Sequence, residues 1–385
     1  MKLKLIGAAA IAVSTPGLAF ADTLEELMTT RLGTTEAHPA IVEAFTRAAE
    51  PVTEELRAKA LECWENNSCD TGTGGELTVA YADGFGENVW RRVTAMEFFQ
   101  QALTYPEVGR IMYSSARGDA AQAISDLRSF IAQDVDVIVI FADHGEALGP
   151  TVREARDAGI QVVLSGGTEV GTAGADYLAN VSENIAALGE AFIDTVLEAN
   201  PDARDIVALG GTPGNPLSAT WQASARERTA EYDGVEVIAA EDTNWTQEGA
   251  FSAVSALLSR FDNIDAYIYD YADGFRGGVR AYESADEPLD FVLTLRTDEQ
   301  GLFCDWERHK DDGFRIFYAS GQNFQARIAL TAGIMGHEGQ EVEPIVDVPF
   351  AMHEVEEGMC DTTLPMEVSA STLVDGETLR AMFGG

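Results

Sequence analysis

From Leu77 onward the chain alternates short runs of β-branched and aromatic residues with longer stretches whose apolar positions recur every three or four residues. Runs at 77–82, 110–114, 135–141 and 161–164 form one set of candidate strands. Runs at 206–209, 235–240, 266–269, 291–295 and 315–318 form a second. Helix-length segments at 89–103, 120–132, 148–158, 185–198, 251–260 and 274–283 lie between them. The run 135–141 is apolar at nearly every position, as suits a parallel strand covered on both faces. Such alternation predicts parallel sheets with right-handed crossovers, and two sets predict two doubly wound α/β lobes. Residues 22–75 read differently. Leu24, Leu27 and Met28, and then Ile41, Phe45 and Ala48, recur at helical spacing without a strong strand pattern. The stretch Thr71-Gly72-Thr73-Gly74-Gly75 reads as a linker.

The first 21 residues carry a pattern of their own. Lys2 and Lys4 precede an apolar, Ala-rich run to Phe20, and Ala19-Phe20-Ala21 offers small residues to a signal peptidase, with Asp22 as the first mature residue. That run is short for a membrane span, and no later one approaches about 18 unbroken apolar residues. The expectation is a signal peptide over 1–21 and a soluble protein exported to the periplasm. Acidic residues outnumber basic ones 64 to 25, and losing Lys2 and Lys4 moves the formal charge from −39 to −41. A surface this negative repels phosphate backbones and anionic lipid, so the expected partners include no nucleic acid and no membrane surface.

Export changes the reading of the four cysteines. Cys63, Cys69, Cys304 and Cys360 allow three pairings in an oxidising compartment. The local pair Cys63–Cys69 with the distal pair Cys304–Cys360 is the economical one, free thiols being the alternative. No CxxC with a nearby His is present to suggest zinc. His337-Glu338 and His353-Glu354 begin like zinc-protease helices, but Glu341 and Glu357 stand where the second His belongs. There is no GxSxG, no phosphate-binding loop and no GxGxxG after a strand. The chain is therefore expected to be a binding protein without metal or cofactor, not an enzyme.

In doubly wound sheets ligands sit beyond the carboxyl ends of the strands. Here those tips are 83–88, 142–146, 165–168, 210–216, 241–245, 270–273, 296–299 and 319–323, rich in Gly, Asp, Asn and aromatic residues. Rings cover C–H faces while carboxylates and amides bond hydroxyls, as a small polar ligand requires. The tips offer Asp83, Phe85, His144 and Gly166 among the candidates. Each has a plainer reading: Asp83, Asp270 and Asp273 as helix caps, Gly166 as a turn residue, His144 as a solvated loop side chain.

The stretch Val-Asp-Val-Ile-Val-Ile-Phe-Ala-Asp-His-Gly-Glu-Ala-Leu-Gly-Pro at 135–150, with Ala-Arg-Asp-Ala-Gly-Ile-Gln-Val-Val-Leu at 155–164, resembles periplasmic sugar-binding proteins of the ribose-binding type. These serve ABC importers and share their fold with lac-repressor-like regulators. Val-Ala-Tyr-Ala-Asp-Gly-Phe-Gly-Glu-Asn-Val-Trp at 79–90 and the segment 274–281 extend the resemblance over roughly 76–350. It implies a type I periplasmic binding protein, with two doubly wound parallel-sheet lobes joined by a three-crossover hinge near Ser182, Ser320 and Glu343. The implied division is a helical extension over 22–75, a first lobe of 76–182 plus 321–343, and a second of 183–320 plus 344–385.

For the site, the resemblance implies that Asn88 and Trp90 meet a sugar from the first lobe and Trp245 from the second. Trp221 or Gln222 stands where an Arg is common. Asp270, Tyr271 and Asp273 supply polar contacts, Asp298 beside Thr297 follows, and Ser320 or Gln322 marks the hinge. The Asp-Arg pair usual after the fourth strand is here Gly166-Gly167. The implied function is capture of a sugar or polyol by a monomer that delivers it to an ABC importer permease. Alternatives are a ligand-sensing partner of a chemoreceptor or sensor kinase, and a receptor whose rings cage a cationic small molecule.

Overall fold

The computed structural model describes residues 23–384 apart from Glu87 and Thr168, so the leader expected over 1–21 lies outside the described residues. In chain order the strands are β1 (Ser68–Asp70), β2 (Leu77–Asp83), β3 (Val108–Ser115), β4 (Val137–Ala142), β5 (Gln161–Gly167) and β6 (Ala179–Ser182). There follow β7 (Asp205–Gly210), β8 (Glu236–Asp242), β9 (Ala266–Tyr269), β10 (Val292–Leu295), β11 (Arg315–Tyr318), β12 (Ile345–Asp347) and β13 (His353–Glu354). They form two sheets, ordered β1-β3-β2-β4-β5-β6-β12 and β13-β11-β10-β9-β7-β8. Neighbours run parallel except β1 against β3 and β13 against β11 at the edges. Stripped of edge strands, both sheets share one topology: the first strand lies between the second and the third. The strand order thus reverses at β2/β4 in one lobe and at β7/β9 in the other.

Each sheet is covered on both faces, which is why its strands read as nearly continuous apolar runs; all six residues of β4 are buried. One face of the first sheet buries Val79, Val137 and Val163 against Phe98, Ile328 and Leu330, and the other buries Ile138 and Ile140 against Leu127 and Val152. The second sheet repeats this, with Tyr267 and Leu293 facing Phe275 and Val279, and Ile206 and Ile268 facing Phe192 and Trp221. Four of the connecting helices start on side-chain caps. Asn88 accepts from Arg91 N, Asn184 from Ala187 N, Asn215 from Ser218 N and Thr246 from Gly249 N.

The amino-terminal segment forms helices Leu24–Leu32, Pro39–Ala48 and Glu54–Asn66 and joins the first lobe's core through Leu27, Ile41 and Phe45. It also supplies β1, a strand its sequence pattern did not announce. Cys63–Cys69 ties β1 to the helix before it, and Cys304–Cys360 ties helix Gln300–His309 to the tail, so the economical pairing is the one formed.

The chain leaves the first sheet after Ser182, where helix Ile185–Ala199 packs on the second, and returns through 319–324 into helix Gln325–His337. The third crossing falls at 348–352, beyond Glu343, because β12 still pairs with β6. Residues 344–385, expected in the second lobe, are in fact divided. β12 and the buried Val374, Leu379 and Met382 belong to the first lobe, whereas β13 edges the second sheet. The tail therefore crosses between lobes a fourth time, at 369–373, before helix Gly376–Phe383. Among the described residues no helix is long and apolar enough to cross a membrane.

Candidate functional site

A cavity with about 690 Å³ of empty space, part of it open to solvent, lies between the lobes. Its walls come from the strands at the two reversal points and, in the second lobe, also from their neighbours β8 and β10. After β2 stand Asn88, Trp90 and Arg91, and β4 brings Phe141 and Asp143. Opposite them, Asn215 and Leu217 follow β7, and Asp270 and Tyr271 follow β9. Trp245 follows β8, and Arg296 and Thr297 follow β10.

Both indoles are fixed through their N–H groups. Trp90 Nε1 donates to Gly321 O at 2.6 Å, and Trp245 Nε1 donates to Asp270 Oδ1 at 2.8 Å. Asp270 Oδ2 accepts from Ser218 Oγ at 2.7 Å and Trp221 Nε1 at 3.0 Å. Burial pushes the Asp270 carboxyl up from its ordinary range, and these three donors offset only part of that. Trp245 sits on unusual backbone: Asn244 and Trp245 both take left-handed conformations, φ 55° and 53°. Thr243 holds this turn, accepting from Trp245 N at 3.2 Å and donating to Gly210 O at 2.7 Å. Position 211 admits only glycine, because a Cβ there would lie 2.1 Å from Cε2 of Trp245. The ring is thus pre-set over the tip of β7.

The guanidinium groups are paired as well. Arg91 Nη1 donates to Asp83 Oδ1 at 3.1 Å and Nη2 to Asp143 Oδ1 at 2.7 Å, with the guanidinium 3.4 Å from the ring centre of Phe141. Burial raises the Asp83 carboxyl, the Arg91 charge offsetting part of the shift. Arg296 Nε donates to Glu183 Oε1, and Gln325 Nε2 to Glu183 Oε2. Burial alone would raise Glu183, but Arg296 beside it holds the carboxyl below its ordinary value. Each cation facing the cavity therefore already has a buried or half-buried counter-charge. What remains for a ligand is neutral hydrogen-bonding edge and ring face. No group of three or more His, Cys, Asp or Glu side chains placed to hold a metal ion occurs among the described residues.

Of the residues expected at the site, Asn88, Trp90, Trp245, Asp270 and Tyr271 line this one cavity. Others lie one layer behind. Asp83 orients Arg91 and also accepts from Phe85 N at 3.0 Å, and fully buried Trp221 supports Asp270 while packing edge-on against Phe192. Several expected residues do not line the cavity. Phe85 is exposed on the surface. Gly166, at φ 70°, is walled off by Phe141 and Gln325. Asp273 is held by Gln247 Nε2 at 2.7 Å, and His144 begins a short helical turn with its Nε2 buried. Asp298 is buried against Ser371, while Ser320 and Gln322 bond each other at the hinge, Gln322 Nε2 donating to Ser320 Oγ at 3.0 Å. Capping explains none of the three aspartates, since Asn88 caps the helix after β2 and Tyr271 occupies the cap position after β9.

Strand-tip reasoning passed over Arg91, Asp143, Asn215 and Arg296. All but Arg91 lie within the predicted tips, and Arg91 directly follows Trp90; for Asp143 and Asn215 the missing signal was which tips flank the reversal of strand order, while Arg296 follows the next strand out, β10. Arg91 and Arg296 also place charge at the cavity although Gly166-Gly167 removes the usual charged pair.

Two doubly wound lobes, linked by repeated crossings, share one cavity at their reversal points. The chain belongs to the periplasmic binding protein domain family, which matches residues 82–302. A xylitol-binding protein from Mycolicibacterium smegmatis is 24% identical over 202 residues, covering 52% of this chain. The chain spans little more than half the length of that relative, 57%. An ABC transporter solute-binding protein from Bacillus halodurans C-125 with bound myo-inositol superposes with a TM-score of 0.63 at 17% identity, covering 73% of this chain and 96% of that one. The arabinose-transporter component from Shewanella sp. ANA-3 gives 0.64 at 18%, covering 72% and 91%. A binding protein from Actinobacillus succinogenes 130z with bound D-allose gives 0.63 at 19%, covering 74% and 99%.

Proposed function

We propose that this protein is the extracytoplasmic receptor of an ABC importer and captures one neutral sugar or polyol between its lobes. The observation that carries the reading is the pair of pinned indoles, Trp90 and Trp245, contributed by opposite lobes to one cavity. A polyol's C–H faces lie on such rings while its hydroxyls bond the amides, carboxylates and guanidiniums between them. Each lobe holds half of the contacts, so the ligand favours the closed state by bridging both, and the closed form is what a permease would recognise. The named relative and the inositol- and allose-bound neighbours support the ligand class.

The cationic-ligand alternative is disfavoured because neither carboxylate lining the cavity is left for a cation: Asp143 is bonded to Arg91, and Asp270 already accepts three hydrogen bonds. A non-catalytic role fits Asp270, whose oxygens already accept three hydrogen bonds and leave it poorly placed as a general base. The test is a thermal-shift screen of neutral sugars, polyols and quaternary amines. A ligand at a hundred times its Kd adds about 2.7 kcal/mol to stability. Neutral polyols are expected to raise the midpoint; stabilisation by the amines alone overturns the reading.

A further inference from the structure

The fourth crossing meets the hinge at one residue. Ser371 N donates to Asp298 Oδ2 and its Oγ to Asp298 Oδ1, both at 2.7 Å, which ties the tail to the second lobe. The same Oγ accepts from Gly321 N on the crossing segment, and Ser371 O accepts from Arg31 Nε at 2.7 Å, on the amino-terminal helix. The next residues grip the first lobe: Thr372 Oγ1 and Leu373 N donate to Glu97 Oε1 at 2.6 and 2.7 Å. Gly321 in turn accepts the indole N–H of Trp90. Its neighbours Ser320 and Gln322 have φ of 149° and 54°, conformations that surrounding bonds must hold in place.

We propose that Ser371 is a positioning residue for ligand binding: through Gly321 it fixes the Trp90 indole at the cavity, and through Asp298 it couples that ring to the second lobe. The tail then acts as a fourth, hydrogen-bonded connection across the hinge. The amino-terminal helices, which lie outside the matched family region, gain a role as the brace that seats it through Arg31 at the junction, whereas Arg57 against Asp375 at 3.1 Å holds only the terminal helix beyond the hinge. The proposal rests on the cavity being the ligand site, but its test needs no ligand.

The full chain is labelled with 5-fluorotryptophan, and the fluorine resonances of its five Trp residues are assigned by single Trp→Phe variants. In Ser371→Ala the Trp90 line is expected to shift or broaden while those of Trp64 and Trp306 stay in place. Arg57→Gln, which loosens the terminal helix away from the hinge, is expected to lower the melting point without moving the Trp90 line. An unmoved Trp90 line in folded Ser371→Ala, or an equal shift in Arg57→Gln, overturns the proposal. If Ser371→Ala does not fold, Asp298→Asn reports the same coupling: a displaced Trp90 line supports it and an unmoved one overturns it. Absence of sugar binding alongside a shifted Trp90 line would count against the ligand reading, not against this link.

Discussion

Asn at position 270 is the most informative change in the cavity wall. Asp270 offers two acceptor oxygens, one committed to Trp245 and the other to Ser218 and Trp221. An amide has a single acceptor oxygen. Placed toward Ser218 and Trp221 it keeps two bonds, and its NH₂ then faces the Trp245 indole N–H across the 2.8 Å contact, donor against donor. One charge-assisted bond is lost, about 1.5–3 kcal/mol. Relief of burying a carboxylate offsets part of this in overall stability, so the damage concentrates on the ring that Asp270 holds. With Trp245 released, Asp270→Asn is expected to weaken ligand binding by about 1–2 kcal/mol, or roughly 5- to 30-fold in Kd. Isothermal titration with the best polyol from the screen measures it. The Trp245→Phe background, which keeps a ring without the N–H, closes a double-mutant cycle. If Asp270→Asn costs as much affinity there as in the parent, the carboxylate does not act through Trp245 and the argument fails.

Two further outcomes follow from groups away from the cavity. Burial, with Asp273 alongside, pushes the Glu299 carboxyl well above its ordinary value, and its Oε1 has no hydrogen-bond partner. The folded state therefore holds that proton more tightly than the unfolded chain, and ionisation costs stability progressively as pH rises above 4.5. Glu299→Gln keeps an acceptor for Leu302 N and is expected to melt higher than the parent near neutral pH, the gain vanishing at about pH 4; a lower melting point at neutral pH contradicts this. Cys304–Cys360 closes a separation of 56 residues and Cys63–Cys69 one of 6. Chain entropy then assigns about 4 kcal/mol to the first and about 2 kcal/mol to the second. Denaturant unfolding of the paired Ser variants checks the order, and a larger loss for the short loop contradicts it.

The lobes were legible because a parallel strand buried on both faces leaves an unbroken apolar run, as at 137–142, and because amphipathic helices follow each one. The strands that escaped notice, β1, β6, β12 and β13, have only two to four residues each, too few for a periodicity to develop, and all but β6 sit at sheet edges. Trp90 and Trp245 were visible as aromatic residues at strand tips. Arg91 was not, because a charged residue in the first turn of a helix looks like a solvated one until Asp83 and Asp143 are seen on either side of it. The family resemblance offered Asp298 as a ligand contact and put Ser320 or Gln322 at the hinge end of the site. In space all three serve the hinge, held by a tail whose return to the first lobe depends on contacts spanning up to 340 positions of sequence.

The claim that a guest is gripped between rings from opposing lobes is met most directly by titrating one polyol into the parent, Trp90→Ala and Trp245→Ala. Loss of a buried ring predicts that each variant binds more weakly by about 1–3 kcal/mol. Parent-like affinity in both, with the fold intact, contradicts the account.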